Sequence, residues 1–434
     1  MKEVQSSVAS HQSDRLRPLP EGWVWKTLPE IVGEKGVFID GDWVESKDQD
    51  PHGDIRLIQL ADIGDGYYRN RSDRYLTHEK AIKLGCKFLQ DGDLLIARMP
   101  DPLGRACIFP GDIKTSVTVV DVCIIRTDNG GENHRWLMHA INSPNIRTQA
   151  ESLQSGSTRK RISRMNLARI RLPVPPLPDQ QRIVARLEEL LSDLEAGVAA
   201  LQRVRAGVKR YKASVLKAAV EGKLVESRGT ESGESGLPEG WRWAKLTELG
   251  LLGRGKSKHR PRNADFLYGG PYPFVQTGDI RHADGVITKH SQTYSEAGLT
   301  QSKLWPKGTL CITIAANITE TAILGIEACF PDSIVGFVPN ENVEVKFVEF
   351  YFRTIKESLE RFAPATAQKN INLDVLQKVL IALPPLEEQR RIVAEVERRL
   401  ESARGVEAAV EAGLKRAARL RQAVLRMAFE GRLL

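Results

Sequence analysis

Residues 156–171 (GSTRKRISRMNLARIR) carry Arg159, Lys160, Arg161, Arg164, Arg169 and Arg171 and no acid. Lys and Arg neutralise phosphates and release counterions, while hydroxyls such as those of Ser157 and Thr158, and backbone N–H groups, bond the same oxygens. This stretch is therefore suited to a nucleic-acid backbone; the bland alternative is a solvated charged face. In the corresponding place of the second half, residues 365–370 (ATAQKN) are less charged. Gln368 and Asn370 could pair bidentately with adenine edges and Lys369 with guanine, a ligand-free polar loop being the equal alternative. A third group, residues 66–75 (GYYRNRSDRY), combines Tyr67, Tyr68 and Tyr75 with Arg69, Arg71 and Arg74. It suits DNA edges or sugar-phosphate, or else is a hairpin with solvated charges.

Residues 253–262 (GRGKSKHRPR) hold Arg254, Lys256, Lys258, Arg260 and Arg262. Residues 250–257 also satisfy the phosphate-loop pattern GxxxxGK[ST], which works only between a strand and a helix whose N-terminus faces the phosphates. Pro261 follows closely and no apolar periodicity comes after it, so the expectation is a basic loop meeting a nucleic-acid backbone. A nucleotide-dependent enzyme is a remote alternative. Two nuclease-like patterns, Pro100-Asp101 with Asp112 and Lys114, and Pro331-Asp332 with Glu344 and Lys346, could in principle hold Mg²⁺ and activate water. The repeat pairs Phe330-Pro331 with Phe109-Pro110, however, so the two are not equivalent sites. There is no GxSxG, HExxH, Ser-His-Asp arrangement or methyltransferase-type Asn/Asp-Pro-Pro-aromatic motif. His52, His78, His134, His139, His259, His282 and His290 read as surface or loop residues. Cys86, Cys107, Cys123, Cys311 and Cys329 form no CxxC and read as buried reduced thiols. No catalytic residue and no metal site is expected in this chain.

Positioning these groups falls to a scaffold that the chain spells twice. LPEGWVW at residues 19–25 returns as LPEGWRW at 237–243. A stretch from Pro175-Pro176-Leu177 to EGKLV at 221–225 returns, 209 residues on and without a gap, as Pro384-Pro385-Leu386 to EGRLL at 430–434. Such a duplication predicts similar modules and approximate twofold symmetry. The expected division is an N-terminal segment (1–18), a first module (19–173), a central long helix (174–225), a Gly/Ser/Glu linker (226–236), a second module (237–383) and a distal long helix (384–434). Each module reads as α+β with strands dominant. Strands are expected at 94–97 and 117–125, and in the paired segments IQLADI (58–63) and VQTGDI (275–280). Residues 136–141 read as a short helix. Between these anchors the halves diverge, which suits two modules reading different targets.

The helices are legible from spacing. Ile183, Leu187, Leu190, Leu194, Leu201, Val204, Val208, Tyr211 and Val215 step by four and three, a heptad seam interrupted at Gly197. Their counterparts Ile392, Val396, Val406, Val410, Leu420 and Val424 keep the register, with Arg399, Ala403, Gly413 and Ala417 between. About 40 residues make a rod of roughly 60 Å whose apolar seam needs a partner. Antiparallel pairing of the two copies supplies one. The wider composition agrees with a globular protein: 434 residues, 41% hydrophobic and 27% charged, with a formal charge of +8. Modest basicity fits a polyanionic partner. Residues 1–17 have no apolar core for a signal peptide, and no run approaches a membrane span, so a cytoplasmic protein is expected.

Taken in order, the doubled LPEGW-x-W opening, the QLADI and QTGDI segments, the doubled PPL-x-x-Q-x-RIVA and the EGKLV and EGRLL endings resemble the specificity (S) subunit of type I restriction-modification systems. That resemblance, over nearly the whole chain, implies two target-recognition domains held apart by antiparallel helices, with no catalysis of their own. It implies double-stranded DNA as ligand and two modification subunits as partners, which bind S-adenosylmethionine and methylate adenine. Restriction subunits using ATP and Mg²⁺ join some such complexes. Residues 157–161 (STRKR) are more basic than the Gln-bearing version usual there, which leaves base preference open. The helices would act as a ruler between two unlike half-sites about one turn (~34 Å) apart. A coiled-coil scaffold that merely bridges proteins is the alternative reading.

Overall fold

The computed structural model describes residues 18–128, 133–156, 159–225, 236–257, 264–315, 319–362 and 371–434, with the side chains of 357–362 outside that description. The doubled opening motif has a plain structural task. Strand Val24–Thr27 pairs antiparallel with Arg171–Val174, the strand just before the central helix, so the two ends of the first module are tied together. Arg242–Lys245 and Leu380–Leu383 close the second module in the same way. Inside the first module, Val37–Asp40, Val122–Arg126, Leu94–Ala97 and Ala106–Ile108 form one antiparallel sheet in that order. The second module repeats it as Gly250–Arg254, Ile334–Pro339, Leu310–Thr313 and Thr321–Leu324, and adds Val286–Ile287 in parallel at the edge. Leu94–Ala97 (LLIA) and Leu310–Thr313 (LCIT) are buried along their whole length, being covered on both faces. All five cysteines are buried as free thiols.

Two sequence expectations need correction. Residues 117–125 are not one strand: Ser116–Thr118 pairs in parallel with Ile55–Ile58 in a separate sheet, and a turn precedes Val122–Arg126. Nor are IQLADI and VQTGDI strands throughout. Each leaves its strand at a glutamine and turns into a short helix, Leu60–Asp62 or Thr277–His282. The backbone N–H of Gln59 bonds the Asp62 carboxylate at 2.8 Å, and that of Gln276 bonds Asp279 at 2.8 Å. The Q-x-x-D pattern is a capping device, and its apolar flanks imitated a strand.

By compactness the chain divides into residues 1–201 with 412–434, and residues 202–411. The central helix, Leu177–Val220, and the distal helix, Leu386–Ala428, contribute to both units. In the first unit Ile183, Val184 and Leu187 join the module core together with Leu425, Ala428 and Phe429 from the distal helix, and Phe429 meets Trp136 edge-on. In the second, Ile392, Val393, Val396 and Leu400 join the other core with Val215, Leu216 and Ala219 from the central helix. Each module thus buries the start of its own helix and the end of the other. A buried glutamine fixes each start. Gln180 accepts from the Asn133 N–H (3.0 Å) and donates to the Pro175 carbonyl (3.1 Å); Gln389 repeats this with Glu344 (2.7 Å) and Pro384 (2.9 Å).

The helices pack antiparallel. Arg421 reaches Glu195 in the first unit; Arg205 reaches Glu411 and Lys212 reaches Glu407 in the second. Charge enforces this direction. From residue 196 to 220 the central helix has six Lys or Arg and no acid, and from 412 to 428 the distal helix has five and no acid. Parallel pairing would set these acid-free halves against each other; antiparallel pairing sets each against the mixed half of its partner. The seam is narrower mid-helix than expected. Ile183, Leu187, Val215, Ile392, Val396 and Val410 are buried, whereas Leu190, Leu194, Leu201, Val208 and Val424 are half-buried. Val204, Tyr211, Val406 and Leu420 are exposed, contrary to the heptad reading. Near the ends a helix is covered by both a module and its partner helix, and toward the middle by the partner alone. Leu400 and Leu425 are buried where the seam positions beside them, Arg399 and Val424, are half-buried, because a straight helix drifts from a 3.5-residue repeat. At the crossing a Cβ on Gly413 would lie 3.0 Å from Leu201 Cδ1. Gly413→Val is expected to cost about 1–3 kcal/mol, seen as a lowered Tm; an unchanged Tm would contradict this packing.

The helix endings meet the opening motifs. Gly222 and Gly431 terminate their helices at φ +70° and +68°, where only glycine is unstrained. A Cβ on Gly222 would strike Pro238, and one on Gly431 would strike Pro20. The end of the central helix therefore sits on the second LPEGW and the end of the distal helix on the first. That reciprocity explains why the ending was copied with the opening.

Candidate nucleic-acid interface

The best-built loop of the first module is 64–72, and a buried carboxylate holds it. Asp62, fully buried, accepts from the backbone N–H groups of Gln59, Arg71 (2.6 Å) and Ser72 (2.8 Å) and from the Ser72 hydroxyl. The Arg56 guanidinium lies 3.8 Å away and is itself bound by Asp112 at 2.6 Å, so the charge is compensated. Around this centre Arg69 donates its backbone N–H to the Asp62 carbonyl, and Asn70 turns the chain at φ +49°. Tyr67 is exposed with Arg69 over its ring at 5.6 Å; Arg71 and Arg74 are exposed. Tyr68 instead packs edge-on against Phe109, and burial pushes its phenol pKa up. The aromatic-basic group is thus one pinned loop, with Tyr68 as its root.

A second clip links this loop to the next. The buried Arg105 donates to the carbonyls of Leu60 (2.8 Å) and Ile63 (2.7 Å) and to those of Met99 and Pro102. The 98–105 loop continues the contact: the Ile162 N–H bonds the Arg98 carbonyl at 2.9 Å, and the buried Arg98 guanidinium pairs with Asp40. Ser155 and Arg161 form a two-way backbone bridge, which ties the start of the basic stretch to its middle. Arg159 and Lys160 are exposed on it, Arg161 pairs with Asp121 at 3.3 Å, and Ser157 and Thr158 lie outside the described residues. Arg164 is drawn inward to the Phe38 carbonyl (3.0 Å) and the Asp40 carboxylate (3.7 Å). Loops 60–72, 98–105 and 155–161 therefore form one hydrogen-bonded frame presenting Tyr67, Arg69, Arg71, Arg159 and Lys160. Beside it lies a groove of about 560 Å³ between residues 42–49, 59–61 and 119–121, on which Trp43 stands 70% exposed.

In the second module, Gly250–Arg254 is a strand that begins at the first glycine of the phosphate-loop pattern, leaving no strand before the loop. Arg254 is exposed and donates its Nε to the Asp332 carbonyl; the Lys256 carbonyl accepts from Ser302 at 2.8 Å, leaving the Lys256 side chain exposed. Lys258, Arg260, Gln368, Lys369 and Asn370 lie outside the described residues. The nuclease-like groups have structural partners: Asp112 holds Arg56, and Lys114 lies over the Tyr75 ring at 4.4 Å. Among the described residues no cluster of three or more His, Cys, Asp and Glu could hold a metal ion. The histidine reading needs amendment. His134 and His139 sit in helix His134–Ile141, and His139 is buried, its pKa pushed down to about 4 by burial and by the Arg421 and Arg135 charges.

Asp62, Arg105, Arg98, Gln59 and Trp43 escaped the sequence reading. For Asp62 a signal was present: an aspartate at the same offset from a glutamine in both modules, inside an otherwise apolar segment. Nothing local distinguishes Arg105 from a surface arginine, since the contacts that bury it include the carbonyls of Leu60 and Ile63, more than 40 residues away in sequence.

The chain is thus a tandem pair of α+β modules, each followed by a long helix, with the two helices antiparallel. The type I restriction modification DNA specificity domain matches twice, over residues 20–201 and 238–402, and the chain belongs to that family. It is 25% identical over 311 residues to the EcoKI specificity subunit of Escherichia coli K12, covering 69% of this chain and 65% of that one. To the Escherichia coli EcoBI specificity subunit it is 26% identical, covering 72% and 68%. Among solved structures, a chain from a study of type I R-M complex assembly and conformational transition superposes with TM-score 0.74 at 22% identity, over 96% of this chain and 100% of that one. The HsdS subunit of Thermoanaerobacter tengcongensis gives 0.58 at 23% identity, over 96% and 98%. Among the described residues no helix is long and apolar enough to cross a membrane.

Proposed function

We propose that this chain is the sequence reader of a type I restriction-modification complex, its two modules recognising the unlike halves of a bipartite DNA target. The observation that carries this is the match of a DNA specificity domain to both modules, joined to a basic, pre-built loop frame on the first. Loop residues Arg69, Arg71, Arg74, Arg159 and Lys160 contact phosphates and fix register, as do Arg254 and Lys256 on the second module. Arg161 acts through its pair with Asp121. The antiparallel helices set the spacing between half-sites. Apolar side chains left exposed on them, Val204, Tyr211, Val406 and Leu420, with the acid-free halves beside them, dock two modification subunits. Those subunits carry S-adenosylmethionine and the adenine chemistry; restriction subunits, where they join, carry ATP and Mg²⁺. This chain contributes binding and geometry only, in the cytoplasm where its DNA lies.

Removing Arg159 and Lys160 together tests the backbone contacts. Each phosphate contact contributes about 0.9 to the slope of log K against log salt. The double alanine variant is expected to bind target and unrelated DNA more weakly by a similar factor, with the slope reduced by roughly two. Titration of labelled duplexes at several salt concentrations reads this, and an unchanged slope removes the basic stretch from the interface.

A further inference from the structure

The groove beside Trp43 is chemically unlike the loops around it. Its lining includes Trp43, Val44, Gln59, Leu60, Val119 and Asp121, and contains no Lys or Arg. With Asp121 and Glu45 on its edge it repels a phosphate. The cations closest to it are held by its edge carboxylates, Lys47 by Glu45 at 2.6 Å and Arg161 by Asp121 at 3.3 Å. The module thus separates its groups: cations on the loops, and an apolar floor with hydrogen-bonding edges in the groove. Base edges, not backbone, have that complementary chemistry, since they present exocyclic amines, ring nitrogens and the thymine methyl.

Two side chains are set for that use. Trp43 is exposed although Trp23 and Trp136 of the same module are buried, and its indole N–H is tethered to Glu45 at 3.3 Å. The tether limits the ring's freedom to fold back over the floor. Gln59 has its backbone fixed by Asp62, and among the described residues no group bonds its amide. Its counterpart Gln276 has its amide bonded to Gln292 at 2.7 Å. The duplicated glutamine is therefore available in the first module and occupied in the second.

We infer, resting on the DNA reading above, that Trp43 and Gln59 read one A·T base pair in the half-site of the first module. The Gln59 amide pairs with adenine, accepting from N6–H and donating to N7, and the thymine methyl packs against the Trp43 ring. Gln59 supplies direction, because only adenine offers that donor and acceptor side by side in the major groove. Trp43 adds preference for thymine over cytosine.

Mapping of modified adenines across the host genome, with Gln59→Ala, Trp43→Ala and Trp43→Phe alleles, tests this in the intact complex. The expected result is that Gln59→Ala and Trp43→Ala relax one A·T position in one half-site, by roughly tenfold in relative modification, while the other half-site and the spacer stay fixed. Trp43→Phe is expected to restore most of the discrimination. An unchanged motif in both alanine alleles overturns the inference and leaves the DNA reading standing. Loss of modification at every site in all three alleles also overturns it, making the groove a folding element. If deleting the gene removes no bipartite motif, the DNA reading itself falls.

Discussion

Excising one heptad from each long helix, residues 202–208 together with 408–414, is expected to shorten the permitted spacer by about three base pairs while both half-sequences stay the same. Seven helical residues span about 10 Å, and DNA rises ~3.4 Å per base pair. The paired cut preserves the antiparallel partners Glu195 and Arg421 on one side and Lys212 and Glu407 on the other. A heptad also returns a helix to within about 20° of its starting face, so the buried stripes still meet. The modules keep their own cores, since Ile183, Leu187, Val215, Ile392 and Phe429 all lie outside the cut. Mapping of modified adenines reads the outcome. An unaltered spacer would mean that the helices do not set the distance between half-sites.

The parts legible in the sequence were those whose causes are local. Duplication, the α+β modules and the antiparallel helices follow from repeated motifs and apolar spacing, which one chain displays directly. The mid-helix positions Val204 and Val406 failed because a heptad pattern reports what could be buried, not how many neighbours arrive to bury it. Residues 58–63 were misread for a related reason. Ile58 and Ile63 are both core residues, so the segment has a strand's apolarity, while the turn between them is made by one carboxylate that accepts from the Gln59 N–H and is held in place by two further donors from residues 71 and 72. The basic loops were found because a charge run without acids is visible at once. Their frame was not: Arg105 and Arg98 act through carbonyls and a carboxylate distant along the chain.

Asp62→Ala is expected to be the most damaging single change to the first module. It leaves three backbone N–H groups and the Ser72 hydroxyl without their acceptor and removes one of two carboxylates facing the buried Arg56. Breaking a buried, hydrogen-bonded charge of this kind costs about 3–5 kcal/mol, more than any surface ion pair in the molecule can supply. The first module is expected to melt roughly 10 °C lower, and amides 64–72 to lose protection from hydrogen exchange. Modification should then lose dependence on the half-site read by that module while retaining the other. Asp279→Ala is the matched control. It occupies the same place in the duplicated motif but is only half-buried, accepting from the Gln276 N–H and, at 3.1 Å, from the Ser291 hydroxyl. Its loss should cost about 1 kcal/mol. Equal destabilisation by the two substitutions would show that burial and the extra donors at Asp62 do not pin the loop, and that the loop's order has another source.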